Sequence, residues 1–371
     1  MAKPLRVGVI GTGFGARVHI PVFQRHPGAA VVAVCSAHLP RARAAARQQR
    51  IPAAFDDYRQ MLAECDLDIV SVCSPPDLHA PMALAALRAG AHVLCEKPLA
   101  PTRALARTML RAAERSGRVH AVGHLRRFFP AHRAAARLLG QGAIGQVLCA
   151  TASLCTWPRP AFHDRAWSWL VRGERGGGVL GLYGTHYFDL LAWWLGEVEA
   201  VSCRIATALP LRTLPGSTRR RRVTSEDTAV CLLQFAAGVV ATVTLSISTP
   251  QGAGSRIEMQ GTHGRLLIEG EHRLWLARGS DRCALRPVPL PREDEAVPAT
   301  PAELRPCSHL VRAFLAAVTE RPGPTPAHPT FRDGARSVAV MEACRRSHAA
   351  GRWISLRGAP AARSSGHDIL G

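Results

Sequence analysis

The sequence predicts an α/β protein of two domains: a parallel sheet wound with helices, then a domain built on a mostly antiparallel sheet. Three observations carry this. From Leu5 to Val122, short apolar runs alternate with helical stretches, the rhythm of a parallel sheet with right-handed crossovers. After Gly123 the runs lengthen and alternate apolar with polar residues, as strands with one buried face do. A length of 371 residues with 47% apolar content favours two cores over one.

Residues 5–10 (LRVGVI) read as a buried strand. Gly11-Thr12-Gly13-Phe14-Gly15-Ala16 follows at once and opens a helix over residues 17–25. This is G-x-G-x-x-A in the strand–turn–helix setting of a dinucleotide site. Gly11 permits the tight turn, Gly13 admits a pyrophosphate close to the backbone, and Ala16 lets helix pack on strand. The helix N-terminus offers free N–H groups to the phosphates. The second strand, residues 31–35, runs into Ser36-Ala37-His38, with Arg41 and Arg43 just beyond. The acidic residue that would hold the ribose hydroxyls of NAD is missing there. A hydroxyl, an imidazole and guanidiniums suit a 2′-phosphate, so NADP(H) is favoured and NAD(H) remains the alternative.

Residues 69–73 form the next strand, ended by Ser74-Pro75-Pro76. A helix runs from about Asp77 to Ala89, and Gly90 caps it. The strand at residues 92–95 stops at Glu96-Lys97-Pro98. Pro98 cannot continue a ladder and turns Lys97 away from helical geometry, which leaves Lys97 at the carboxyl end of a strand. Ligands bind there in open α/β sheets. Of the 47 basic residues only Lys3 and Lys97 are lysines. A desolvated lysine can lose its proton, whereas arginine stays charged. Lys97 is therefore the leading catalytic candidate. A helix over residues 101–116, stopped by Gly117, and a strand over 119–122 complete the domain, which ends near residues 123–124.

The second domain opens with a helix over residues 130–139. Its strands read at 146–156, 198–206, 228–235, 239–247, 256–260 and 265–268. Between the first two lie Gly176-Gly177-Gly178 and a helix over 179–195. Two closing helices, 308–320 and 331–349, are parted by prolines. Arg219-Arg220-Arg221-Arg222 reads as a loop, and the tail as disordered. The expected division is residues 1–124, 125–356 and a tail of 357–371.

The composition excludes several classes. No apolar run approaches the ~18 residues that span a bilayer, and no secretory leader is read at the N-terminus. The 11 cysteines show no C-x-x-C pair and no zinc spacing, so a reducing cytoplasm is expected and no metal site or disulfide framework. The formal net charge of +20 raises nucleic acid as a partner. The arginines are scattered and no recognition motif is present, so neither a specific nucleic acid nor a membrane is expected.

Together these residues resemble the Gfo/Idh/MocA family of oxidoreductases. The matching stretches are residues 11–23 (GTGFGARVHIPVF), 71–100 (SVCSPPDLHAPMALAALRAGAHVLCEKPLA) and 176–196 (GGGVLGLYGTHYFDLLAWWLG). The resemblance implies a Rossmann dinucleotide-binding domain and an α/β domain with a large, open, mostly antiparallel sheet. It implies hydride transfer between a nicotinamide and a carbonyl or alcohol carbon of a sugar, cyclitol or related small molecule, in a homodimer or homotetramer. It places Lys97 at the reacting oxygen and His186 beside it. The cofactor set expected is Gly11 to Ala16, Ser36, His38, Arg41, Ser74, Pro75, His79, Glu96 and Lys97. Substrate candidates are His124, Arg126, Trp167, Trp169 and Tyr183, with Trp157, Arg165, Arg172 and Arg175 as weaker ones.

One departure matters. Many members carry an aspartate one turn before the histidine, where this chain has Leu182. A leucine cannot orient an imidazole, so the Lys–Asp–His relay is incomplete. Asp189 lies a further turn along and is not given the role. Tyr183, Thr185 and Tyr187 still give His186 a polar side. Two other functions stay open: an NADPH-dependent imine reductase, which needs less from a relay, and a non-catalytic nucleotide-binding regulator. The retained Lys97 argues against the regulator.

Overall fold

The computed structural model describes residues 3–156, 166–249, 252–279, 284–290, 301, 304–320 and 326–357. Trp157, Arg165 and the tail from 358 lie outside the described residues.

The first sheet has six parallel strands: β1 (Leu5–Ile10), β2 (Ala29–Cys35), β3 (Ala53–Phe55), β4 (Ile69–Val72), β5 (His92–Cys95) and β6 (His120–Val122). Their order, β3-β2-β1-β4-β5-β6, reverses between β1 and β4. The carboxyl ends of strands open a crevice at such a switch point. The helices are α1 (Ile20–Gln24), α2 (Leu39–Gln49), α3 (Tyr58–Glu64), α4 (His79–Arg88) and α5 (Arg103–Ser116). Polar caps fix their ends. Asp57 accepts Arg59 N–H at α3, and Thr102 accepts Leu105 N–H at α5, which Gly117 closes at φ 63°.

The second domain runs α6 (Pro130–Gly140), β7 (Val147–Cys155), α7 (Thr185–Leu195), β8 (Val198–Ala206), β9 (Leu211–Thr213), β10 (Arg220–Arg222), β11 (Thr228–Phe235) and β12 (Val240–Ser246). It continues with β13 (Gly254–Gly261), β14 (Gly264–Glu269), β15 (Arg273–Arg278), β16 (Arg286–Pro287), α8 (Arg305–Thr319), α9 (Phe331–Ala350) and β17 (Ile354–Ser355). Nine strands form one sheet, ordered β16-β15-β14-β13-β7-β12-β11-β8-β17. Within this sheet, among the described residues, only the β7–β12 pair is parallel. No helix among them is long and apolar enough to cross a membrane.

Alternation decides which face is covered. Ala150, Leu154, Cys231, Leu233, Phe235, Val243 and Leu245 are buried. On the opposite face Val230, Leu232 and Val240 stand exposed. The α9 helix packs against β8 and against α5, so it joins the two domains. The α8 helix returns to the first domain: Cys307, Leu310, Val311 and Phe314 share a buried cluster with Val7, Ile20, Phe23 and Val34.

Two readings need correction. The arginine run is not a loop throughout. Arg220–Arg222 is β10, paired antiparallel with β9 in an exposed two-stranded ribbon. A strand with no buried side has no alternation to detect. Trp167 anchors that ribbon. Its backbone N–H donates to Thr213 O at 2.7 Å and its indole N–H to Arg222 O at 3.3 Å. The guanidiniums of Arg172 and Arg221 lie 5.1 and 4.3 Å from its ring centre. Its aromatic faces are thus used inside the protein.

Three cysteines far apart in sequence meet in the core. Cys203 and Cys231 face each other on β8 and β11 with sulfurs 3.3 Å apart, and Cys344 Sγ lies 3.7 Å from Cys231 Sγ. Zinc bonds of ~2.3 Å would hold thiolates ~3.8 Å or more apart. The closest pair is tighter than that, and the trio reads as packed thiols.

Candidate active site

The glycine turn leaves β1 at the switch point. Gly11 has φ +111°, and a Cβ there would meet the Cys73 carbonyl oxygen at 2.5 Å. Only glycine fits. Gly13 is exposed, with nothing within 4 Å of where its Cβ would stand, so the crest of the turn is open to a phosphate. Thr12 Oγ1 donates to Ser36 Oγ at 3.2 Å and ties the turn to the end of β2. His38, Arg41 and Arg43 are exposed just beyond. Residues 11–16, Ser36, His38 and Arg41 therefore border one edge of the crevice, and they suit a dinucleotide.

Gly15–His19 is a π-helical turn leading into α1. It carries His19 beneath the glycine loop, where no solvent reaches it. His19 Nδ1 lies 2.8 Å from Ser71 Oγ and Nε2 3.1 Å from Glu96 Oε1. Glu96 Oε2 also accepts Lys97 N–H at 3.1 Å. Glu96 was expected to contact the cofactor. It is instead buried at the ends of the strands as the partner of His19. Burial alone would raise the Glu96 carboxyl, but the His19 bond and charge and then Lys97 outweigh it and hold it low. Burial also opposes the His19 imidazolium, but the Cys73 and Cys307 sulfurs and Glu96 outweigh it and raise the group well above its ordinary value.

These directions predict a pH signature. A raised histidine stabilises fully below its unfolded value of ~6.5 and loses that contribution as pH climbs through the folded value. A lowered carboxyl contributes above ~4.3 and loses it on acidification. His19→Gln should flatten the decline of Tm above about pH 6.5, read by thermal unfolding across pH. An unchanged slope would refute the ion pair.

Lys97 follows β5 and is joined to Pro98 by a cis peptide bond. Its Nζ donates to Leu182 O at 2.8 Å. Leu182 belongs to a second π-helical turn, Leu180–Gly184, just before α7. Its backbone oxygen meets Lys97 although its side chain cannot. Burial lowers the Lys97 ammonium, Glu96 opposes that, and Arg126 adds to it. His186, on the first turn of α7, is 8% exposed with Nδ1 buried and unpartnered. Burial first, then the charges of Lys97, His124, Arg126 and His132, drive it well below the usual imidazole range. The surroundings thus disfavour the charged form of both groups, of His186 most strongly.

The other expected residues sort by burial. His79 was expected to touch the cofactor. Its ring nitrogens are instead within 3.0 Å of Pro98 O and 2.9 Å of Ser74 O, so it straps together the two turns beside Lys97. Ser74 and Pro75 are half-buried on one of those turns. His124 was expected to face nicotinamide or substrate. It is fully buried, 3.1 Å from Ser337 Oγ, with its ring edge-on to His186 at 5.6 Å. Arg126 is buried against Glu271 at 3.1 Å and over the Tyr187 ring at 5.1 Å. Tyr183 and Trp169 are half-buried. The glycine triplet seals the domains together: a Cβ on Gly176 (φ +84°) would meet Pro76 Cβ at 2.8 Å. Arg175 pairs with Asp77 at 2.7 Å and Arg172 with Glu174 at 2.6 Å.

Sequence reasoning missed the support beneath the site. Arg127 binds Asp189 through two bonds of 2.8 and 2.6 Å and Asp333 at 2.7 Å. The position of Asp189, three residues past His186 and hence on a neighbouring face of the helix, was the available signal.

A glycine-fingerprint sheet, with a second domain laying a histidine-bearing helix over its carboxyl edge, defines the class of two-domain, dinucleotide-binding oxidoreductases. The comparisons agree. Residues 5–124 match the family model described as oxidoreductase family, NAD-binding Rossmann fold, and residues 132–267 match the GFO/IDH/MocA C-terminal domain. An uncharacterized oxidoreductase of Synechocystis sp. is 31% identical over 95% of this chain and 96% of its own length. Levoglucosan dehydrogenase of Pseudarthrobacter phenanthrenivorans is 30% identical over 76% of this chain and 78% of its own. A solved structure of levoglucosan dehydrogenase with NADH and levoglucosan superposes with a TM-score of 0.85 at 26% identity, over 96% of this chain and all of that one. The chain belongs to the Gfo/Idh/MocA family of oxidoreductases.

Proposed function

We propose that this protein is an NADP(H)-dependent oxidoreductase. It moves a hydride between nicotinamide and a carbonyl or secondary alcohol carbon of a sugar, cyclitol or related small molecule. Residues 1–124 bind the dinucleotide and 125–356 the substrate. The observation that carries the reading is Lys97: a half-buried ammonium at a strand end, held by Leu182 O beside the helix that bears His186, with both charged forms disfavoured there. Sugar dehydrogenases among the relatives support the substrate class.

The bound dinucleotide supplies or takes up the hydride. The chain holds the oxygen. Lys97 turns its N–H toward the reacting oxygen and stabilises the charge that develops there, while His186 accepts the hydroxyl proton on oxidation and returns it on reduction. A lysine lowered toward neutrality loses and regains its own proton readily. The preference for NADP(H) rests on Ser36, His38, Arg41 and Arg43 at the end of β2, where no carboxylate stands.

The exposed sheet face with Val230, Leu232 and Val240 suits a second copy of the chain, giving a homodimer or homotetramer. Light scattering should read at least twice the chain mass, and Leu232→Arg should lower it. A monomeric wild type would refute this. All ten described cysteines are free, in keeping with a reducing cytoplasm.

The test is nicotinamide absorbance over time with NADPH, NADH and their oxidised forms, against inositols, free and nucleotide-linked sugars and cyclic imines. Turnover of a sugar or cyclitol supports the reading. Turnover of imines alone, or tight NADPH binding with no turnover, overturns it.

A further inference from the structure

The side chain one turn before His186 is Leu182, which neither donates nor accepts. Something else must decide which His186 nitrogen carries the proton. Two buried nitrogens lack a partner in the same place: Nδ1 of His186 and Nδ1 of His124, on rings 5.6 Å apart and inclined at 68°. On its other side, His124 Nε2 is 3.1 Å from Ser337 Oγ, and the Ser337 hydroxyl donates to Gly334 O at 3.0 Å. With its single proton given to that carbonyl, Ser337 Oγ accepts, so His124 Nε2 is the N–H. The Asp189 carboxylate, 4.0 Å from the same nitrogen, favours a proton there. A neutral imidazole has one N–H. The His124 Nδ1 is therefore an acceptor.

We propose that His124 is a positioning residue that dictates the tautomer of His186. Its Nδ1 accepts the His186 Nδ1–H through one bridging water, so His186 Nε2 presents its lone pair to the substrate hydroxyl. The order of donation is His186 to His124, His124 to Ser337, and Ser337 to the Gly334 carbonyl. This rests on the reading of His186 as the acid–base group. It also supplies what an aspartate at position 182 would have supplied: a fixed ring and an acceptor that steadies the imidazolium formed on proton uptake.

The surroundings disfavour a charge on either ring. Lys97, His124, Arg126 and His132 face His186, and none carries negative charge. Around His124, Asp189 and Asp333 favour the charged form, while burial first, then Arg127 and Lys97, outweigh them. Asp189 and Asp333 are themselves held by Arg127. An imidazole acceptor, not a carboxylate, therefore backs His186.

The experiment has two arms on the full chain with NADPH bound. In the first, histidine is labelled with nitrogen-15 and protonation is read by NMR without substrate, with His186→Gln assigning the signal. The expected result is a proton on His186 Nδ1 and on His124 Nε2. A proton on His186 Nε2 overturns the proposal. In the second, His124→Leu should lower kcat by ~10- to 100-fold with KM nearly unchanged. It should also move the acid limb of the rate profile to lower pH, because the imidazolium has lost its acceptor. His124→Asn, whose Oδ1 stands where Nδ1 stood, should restore limb and rate. A fall in kcat with the limb unmoved, or no rescue by asparagine, means a packing role only and also overturns it. Absence of wild-type turnover would refute the activity reading and leave the first arm standing.

Discussion

Lys97→Ala should lower kcat by ~10³-fold or more while NADP(H) still binds within a few-fold. The alanine removes the one ammonium whose Nζ reaches the carbonyl of Leu182 across the domain junction. Binding should survive because the glycine turn and the end of β2, proposed to hold the dinucleotide, lie on other strands. The fold should survive because Glu96 keeps its His19 partner. Lys97→Arg separates charge from proton transfer. Arginine keeps the charge but cannot release a proton near neutrality. It is expected to recover less than a tenth of the lost rate. Steady-state kinetics with fluorescence titration of NADPH reads both terms. Equal kcat in wild type and Lys97→Ala would remove Lys97 from the chemistry, and recovery by arginine would limit it to electrostatics.

The second large effect concerns which dinucleotide is used. Ser36→Asp should shift the ratio of kcat/KM for NADP(H) over NAD(H) by ~10²-fold toward NAD(H), about 3 kcal/mol. Ser36 ends β2 and is tied to Thr12 of the glycine turn, so a carboxylate there would stand at the ribose. It would accept the two ribose hydroxyls of NAD and repel a 2′-phosphate. Arg41 and Arg43 are exposed on the first turns of α2, and on the proposed reading they bind that phosphate. Arg41→Ala should therefore weaken NADP(H) alone, and more so at low salt, where screening is least. A wild type that already prefers NAD(H), or a Ser36→Asp variant with an unchanged ratio, would show that the basic edge of the crevice does not read the phosphate.

Much of the fold was legible because it rests on local chemistry. The parallel sheet follows from apolar runs of strand length, and the glycine turn from conformations only glycine adopts. Lys97 stands out in the sequence because a proline stops β5 and because lysine is almost absent elsewhere. The strands β8 and β11 fall where alternation placed them, since each has one buried face. The family was legible for the same reason: its signatures are short and contiguous.

The tertiary structure decided what joins distant segments. His79 straps turns, Trp167 anchors a ribbon, His19 underlies the glycine loop 77 residues before Glu96, and His124 meets a serine 213 residues away. The Leu182 backbone oxygen, 85 residues from Lys97, takes a place its side chain could not. A strand with no buried side, such as β10, leaves no alternation to find. Periodicity and turn chemistry act over a few residues and are written in the sequence. The partner of a buried polar group is set by whichever chain segment packs against it, and that is known only once the chain has folded.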